Sequence, residues 1–88
     1  MVRRALYFTC HGCAPCVKMK PVFEQLRQEG YDIKEIEHED FETRYKYGVT
    51  GVSITLILQF GFEVKRFTGI VDINTLRTAL KMPDYIFW

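Results

Sequence analysis

From Ala5 to Phe8 the chain is continuously apolar, set between Arg3-Arg4 and Thr9-Cys10. A short run of that kind fits a buried strand, expected over residues 3–9. The period then changes. Met19, Val22, Phe23 and Leu26 recur at helical spacing, so residues 14–29 are expected to form an amphipathic helix that stops at Gly30. Pro21 lies inside that span and is expected to kink it, because proline lacks an amide donor and crowds the preceding turn. Residues 31–37 read as a second strand, with Tyr31, Ile33 and Ile36 turned inward. Asp40 is placed to cap a short helix over 41–47, with Glu42 and Lys46 paired across one turn and Gly48 at its end. Residues 54–60 form the plainest strand, Gly61 a turn, and 62–67 the alternating second arm of a hairpin. Asp72 is expected to cap a last helix near 73–81 that buries Ile73, Leu76 and Leu80 and stops at Pro83. The apolar tail Tyr85-Ile86-Phe87-Trp88 is expected to fold back on the sheet or on that helix.

The element order is β-α-β-α-β-β-α, an α/β pattern. A right-handed β-α-β crossover makes the first two strands parallel, and the later hairpin is antiparallel. The expected fold is a four-stranded mixed sheet with helices on both faces, a single domain spanning residues 1–88.

Composition narrows the function classes. At 88 residues, 48% hydrophobic and 15% aromatic, the chain can close one compact core. The net charge is +1 and no Lys/Arg cluster exceeds a pair, so a dedicated nucleic-acid binder is not expected. No apolar run approaches the roughly 20 residues needed to span a bilayer. The stretch after Arg3-Arg4 is too short before Cys10 to act as a secretory leader, so no signal peptide is expected. The three cysteines are odd in number and all lie within residues 10–16. A secreted disulfide framework spreads an even number along the chain, so this clustering points to reactive or metal-binding thiols in a reducing compartment, the cytoplasm.

The chemistry centres on Cys13-Ala14-Pro15-Cys16, where the first apolar run gives way to the helical pattern. A C-x-x-C at a strand-to-helix junction reads as a dithiol redox site. Amides at a helix start have no intrahelical partner and the helix dipole is positive there. Both favour thiolate over thiol, and the thiolate is the nucleophile.

With these residues together, the chain resembles the thioredoxin family in its compact form, over nearly its whole length. The resemblance rests on Cys13 and Cys16 with Pro21 five residues later, on Tyr47-Gly48-Val49-x-Gly51-Val52, and on Thr55-Leu56-Ile57-Leu58 followed by Gly61, Glu63-Val64 and Gly69. Glutaredoxins share the core but usually carry Pro-Tyr between the cysteines; Ala14-Pro15 is closer to the thioredoxin Gly-Pro. Relatives this short occur in phages and bacteria. The resemblance implies a protein-disulfide reductase in which Cys13 attacks a substrate disulfide and Cys16 resolves the mixed disulfide. It implies a first-cysteine pKa of about 7 against roughly 8.5 for a free thiol, and a reductant near the thioredoxin potential of about −270 mV. The implied partners are a client protein with an active-site disulfide, such as ribonucleotide reductase, and an electron donor of thioredoxin-reductase or glutathione type. A monomer with no resident cofactor, metal, nucleic-acid or membrane partner is expected.

The resemblance also marks three departures. Gly12, preceded by His11, stands where the family usually has Trp, which removes an aromatic platform and opens the backbone. Tyr7 stands at the place of a buried Asp that helps the second Cys lose its proton, so water, His11 or another group has to accept that proton and slower resolution is expected. Ser53 stands at the place of the cis-proline facing the cysteines. A cis bond before a residue other than proline costs about 2.5–4 kcal/mol, so a trans Val52–Ser53 peptide or an altered loop is expected. The family pairs with substrate backbone beside that proline, which makes Gly12, Val52 and Ser53 the expected substrate-binding residues.

Two alternatives stand beside the reductase. Cys10 completes a C-x-x-C-x-x-C run, but a ferredoxin run ends C-x-x-x-C-P, and here Lys20 holds the last Cys position before Pro21. Cys10, Cys13 and Cys16 with His11 also approximate a Cys₃His zinc set, and loss of the shielding proline opens the thiols to a metal or cluster. The other alternative is a thioredoxin-like adaptor with incidental cysteines. The plain expectations are a half-buried Cys10 at the strand end, His11 and His38 on the surface, solvated Lys18 and Lys20, and Phe41, Tyr45 and Tyr47 as core and rim packing.

Overall fold

β1 (Arg3–Phe8) forms on the first apolar run and lies inside the sheet, which is why its last four residues are buried on both faces. A computed structural model describes residues 3–10 and 12–81. The remaining elements are α1 (Ala14–Gln28), β2 (Asp32–Ile36), α2 (Phe41–Lys46), β3 (Ile54–Gln59), β4 (Phe62–Thr68) and α3 (Ile73–Leu80). The expected order is met. Strands run β2-β1-β3-β4 in one sheet. β1 pairs parallel with β2, Ala5 opposite Ile33, and antiparallel with β3, Tyr7 opposite Thr55; β3 and β4 close the antiparallel hairpin.

Side-chain alternation splits the core in two. Ala5, Tyr7, Ile33 and Ile57 face Cys16, Met19, Phe23 and Leu26 of α1 and Leu76 and Leu80 of α3. Leu6, Phe8, Ile36, Leu56, Leu58 and Val49 form the opposite layer. Ile33 and Ile36 therefore serve different faces, whereas the strand reading turned both inward together. Three residues apart on a strand, they must diverge.

α1 runs unbroken through Pro21. The proline leaves the Val17 carbonyl without its intrahelical amide, but Val17 and Pro21 are both exposed, where water can replace it. The short helices are capped as expected. Asp40 accepts from the Thr43 amide at 3.1 Å, and Asp72 from the Asn74 amide at 2.9 Å. Glu42 and Lys46 form no ion pair among the described residues; the Lys46 ammonium lies 5.4 Å from the Tyr47 ring centre instead.

Three expectations are corrected. Phe41 and Tyr45 are not core residues: they are 67% and 90% exposed, because the buried position on α2 is taken by Arg44. β3 ends at Gln59, since Phe60 and Gly61 both adopt left-handed φ, 56° and 82°, as the centre of a two-residue hairpin turn. The alternation of 62–67 is broken by a bulge, with Ile57 opposite Lys65 but Leu58 opposite Glu63, so Val64 is an extra residue. Pro83, the aromatic tail and His11 lie outside the described residues.

Candidate active site

β1 delivers the chain to Cys10, Gly12 turns it, and α1 begins. Gly12 has φ 75°, a left-handed conformation suited to glycine, and is exposed. A Trp here, as in the resembled family, would be strained. Cys13 is the N-cap of α1 with extended backbone, and its carbonyl accepts the Val17 amide at 3.0 Å. Ala14 opens the helix and Pro15 follows within its first turn, where a proline's missing amide harms nothing. That first turn holds no acidic residue, so nothing offsets the positive end of the helix dipole. Cys13 is half-buried; Cys16, one turn inward, is 2% exposed. All three cysteines are free thiols.

Cys13 and Cys16 titrate as a pair. Burial alone pushes the Cys16 thiol up. The Cys13 thiol, the Thr9 and Tyr7 hydroxyls beside it and the Cys10 amide together outweigh burial and bring it down to about 7. The Cys13 thiol is raised, first by its hydrogen bond with Cys16 and then by desolvation, while the Cys16 amide pulls the other way. One negative charge is thus held between two sulfurs, the first proton leaving near neutrality and the second retained. The sequence expectation placed the acidic thiol at Cys13, at the helix start; the structure adds the Thr9 and Tyr7 hydroxyls and the Cys10 amide around Cys16, so the charge shared by the pair is favoured from both sides.

Tyr7 fills the place expected for a buried acid. It is 2% exposed, and its ring lies 4.4 Å from that of Phe23 on α1. Burial, and then the adjacent Cys16 thiol, push its phenol well above the ordinary tyrosine value, so it stays protonated. Among the described residues no hydrogen bond reaches its hydroxyl, although the Ser53 hydroxyl nearby draws the phenol the other way.

The Val52–Ser53 peptide is trans, as expected, since no cis bond occurs among the described residues. Ser53 is buried in the left-handed region at φ 56°, with an unpaired hydroxyl. Its amide donates to the Phe8 carbonyl at 3.0 Å and its carbonyl accepts the Gly69 amide at 2.7 Å. Both main-chain groups of Ser53 therefore have partners inside the protein. Val52 is half-buried against the α1 side of the core, and among the described residues no backbone hydrogen bond engages it.

Sequence reading missed Arg44. It is 6% exposed and donates to the Thr9 carbonyl at 3.1 Å and the Gly51 carbonyl at 2.8 Å, its guanidinium 5.6 Å from the Phe8 ring centre. It ties the segment before the cysteines to the loop before Ser53. An arginine on a short helix reads as a solvated residue, and no local signal marks this one as buried. Among the described residues no group of three or more His, Cys, Asp or Glu side chains is placed to hold a metal ion, so the three-cysteine ligand set finds no support there.

No protein-family model and no curated protein matches the sequence. Solved structures do match. A point mutant of the thioredoxin from Halobacterium salinarum NRC-1 superposes with a TM-score of 0.82 at 25% identity, covering 89% of this chain and 71% of that one. Thioredoxin 1 from Thermosipho africanus TCF52B gives 0.74 at 26% identity, covering 86% and 88%. Fasciola hepatica thioredoxin gives 0.75 at 26%, covering 86% and 75%. The fold is thioredoxin-like, and the two cysteines have the C-x-x-C spacing of a dithiol site.

Proposed function

We propose that this thioredoxin-like chain reduces protein disulfides through Cys13 and Cys16. The observation that carries the reading is a half-exposed thiol at a helix N-cap sharing one near-neutral ionisation with a buried thiol one turn inward. At neutral pH the shared anion, when it resides on the outer sulfur, attacks a client disulfide. A Cys13–client bond forms, and the departing client sulfur leaves with the electron pair and takes a proton from solvent. The Cys16 thiolate then attacks Cys13, closing the Cys13–Cys16 disulfide and releasing the second client thiolate, which is likewise protonated. Two electrons pass to the client, and an external donor of thioredoxin-reductase or glutathione type restores the dithiol.

The client backbone pairs with the main chain of Val52, which has no backbone partner among the described residues and packs against the same core cluster as Cys13, while Gly12 leaves the approach open and Ala14 and Pro15 set the spacing of the sulfurs. A client with an active-site disulfide, such as ribonucleotide reductase, fits this chemistry. A reducing compartment, the cytoplasm, accords with three cysteines clustered within residues 10–16, and the protein acts as a monomer in this reading. No described helix is long and apolar enough to cross a membrane.

Reduction of insulin disulfides coupled to dithiothreitol or thioredoxin reductase tests the reading. Turnover is expected from the wild type and none from Cys13→Ser, while Cys16→Ser should accumulate a mixed disulfide with client. Wild-type turnover no faster than background removes the proposal.

A further inference from the structure

Resting on the dithiol reading, one buried group behind Cys16 has no role in it yet. Tyr7 points from β1 into the layer where α1 packs, stacked on Phe23, which lies two turns after Cys16 on the same buried helix face. Tyr7 and Cys16 pack in one buried cluster, and the Tyr7 hydroxyl lies near the Cys16 thiol and the Ser53 hydroxyl, yet it has no hydrogen-bond partner among the described residues. A buried hydroxyl left unpaired is unfavourable in a native core and asks for an explanation. Neither the neutral Cys16 thiol nor the nearby Ser53 hydroxyl holds the Tyr7 hydroxyl in a formed bond; an anion on Cys16 gives it a partner, because a hydroxyl can rotate to donate to it.

We propose that Tyr7 is a positioning residue for resolution, its hydroxyl donating a hydrogen bond to the Cys16 thiolate and holding that sulfur toward the Cys13–client disulfide. In the mixed disulfide Cys13 no longer carries charge, so Cys16 must ionise alone. Its proton goes to solvent; Tyr7, already protonated, cannot take it. The Tyr7 and Thr9 hydroxyls and the Cys10 amide surround the remaining anion. The thiolate attacks the Cys13 sulfur, the Cys13–Cys16 bond forms, the Cys13–client bond breaks, and the client sulfur departs as thiolate and is protonated from water. The missing buried acid is thus replaced by a donor that stabilises the product of deprotonation, not by another acceptor. The titratable groups set around Cys16 are Cys13 on α1 and Tyr7 on β1, with Cys10 contributing its amide.

Tyr7→Phe deletes the hydroxyl and keeps the ring on Phe23. In a Cys10→Ser background, two quantities are read: the ultraviolet thiolate titration of the pair, and the release of two thionitrobenzoate equivalents from an aromatic disulfide reagent, the first reporting attack by Cys13 and the second resolution by Cys16. The expected result is a first ionisation moved to higher pH and a second release slowed about tenfold, the factor typical of a hydrogen bond to an ionised group, with the first release retained. The equilibrium with glutathione should move toward the disulfide form by a similar factor. Thr55→Val removes another buried unpaired hydroxyl, opposite Tyr7 in the sheet, and is expected to leave the titration in place. An unchanged titration and second release in Tyr7→Phe overturn the assignment even if the wild type reduces insulin. A wild type inactive on insulin whose titration still moves in Tyr7→Phe supports the Tyr7 contact and overturns only the reductase reading.

Discussion

Ser53 combines a left-handed backbone with a buried, unpaired hydroxyl. A residue with a Cβ pays roughly 1–2 kcal/mol for that conformation, against which glycine loses more chain entropy on folding. Ser53→Gly is therefore expected to raise stability by about 1 kcal/mol, seen as a higher urea midpoint at unchanged slope. Ser53→Pro restores the residue type of the resembled family but requires φ near −65° and deletes the amide that holds the Phe8 carbonyl. It is expected to cost about 2–3 kcal/mol in the same measurement. The placement of Cys13 and Cys16 at the start of a helix and the trans peptide at Ser53 were legible in the sequence, because spacing and residue type carry that information. The donors that gather around Cys16 were not, because Thr9, Tyr7 and Cys10 meet there only in the folded chain.

At the scale of elements, periodicity located every strand and helix within a residue or two. It could not see which position of a short helix faces inward. On α2, Phe41 and Tyr45 looked like packing residues, yet Arg44 faces in, its two terminal nitrogens donating to carbonyls of two other segments while its Nε has no partner among the described residues. Long-range pairing is equally invisible locally. Arg77 of α3 forms a forked contact with Glu29 at the end of α1, 2.7 and 2.6 Å, with Gln25 adding a third bond. The Arg77 guanidinium, then Gln25, lowers the Glu29 carboxyl to about 2. A folded-state value below the unfolded one means the contact stabilises above the ordinary glutamate range and loses that stabilisation as pH falls toward 2. In urea titrations at successive pH values, the stability difference between wild type and Glu29→Gln should be present at neutrality and vanish on acidification through that window. A difference independent of pH would refute the linkage.

Across the whole molecule, the site exists because separate stretches of chain are tied together. Arg44 binds the Thr9 and Gly51 carbonyls, the Phe8 carbonyl takes the Ser53 amide, and Arg66 of β4 donates to the Tyr47 carbonyl at 2.8 Å. Charge-assisted hydrogen bonds of this kind contribute roughly 1.5–3 kcal/mol each, offset by the desolvation of the charge. Arg44→Met keeps the stem over Phe8 and removes the tie. It should lower stability by about 2 kcal/mol and, by freeing both loops, reduce disulfide turnover more than it slows alkylation of Cys13. Equal losses in both assays would deny Arg44 any part in aligning the loops.

The bulge at Val64 bears on how readily one molecule can add its strand to another. β4 ends the sheet among the described residues, with Phe62 and Val64 facing solvent, a surface on which strands of neighbouring molecules can stack. The surplus residue bends that margin and breaks its hydrogen-bond spacing, so an incoming strand finds no continuous register. Deleting Val64 should straighten the margin and raise fibre formation on storage above that of the wild type, followed by light scattering and dye binding.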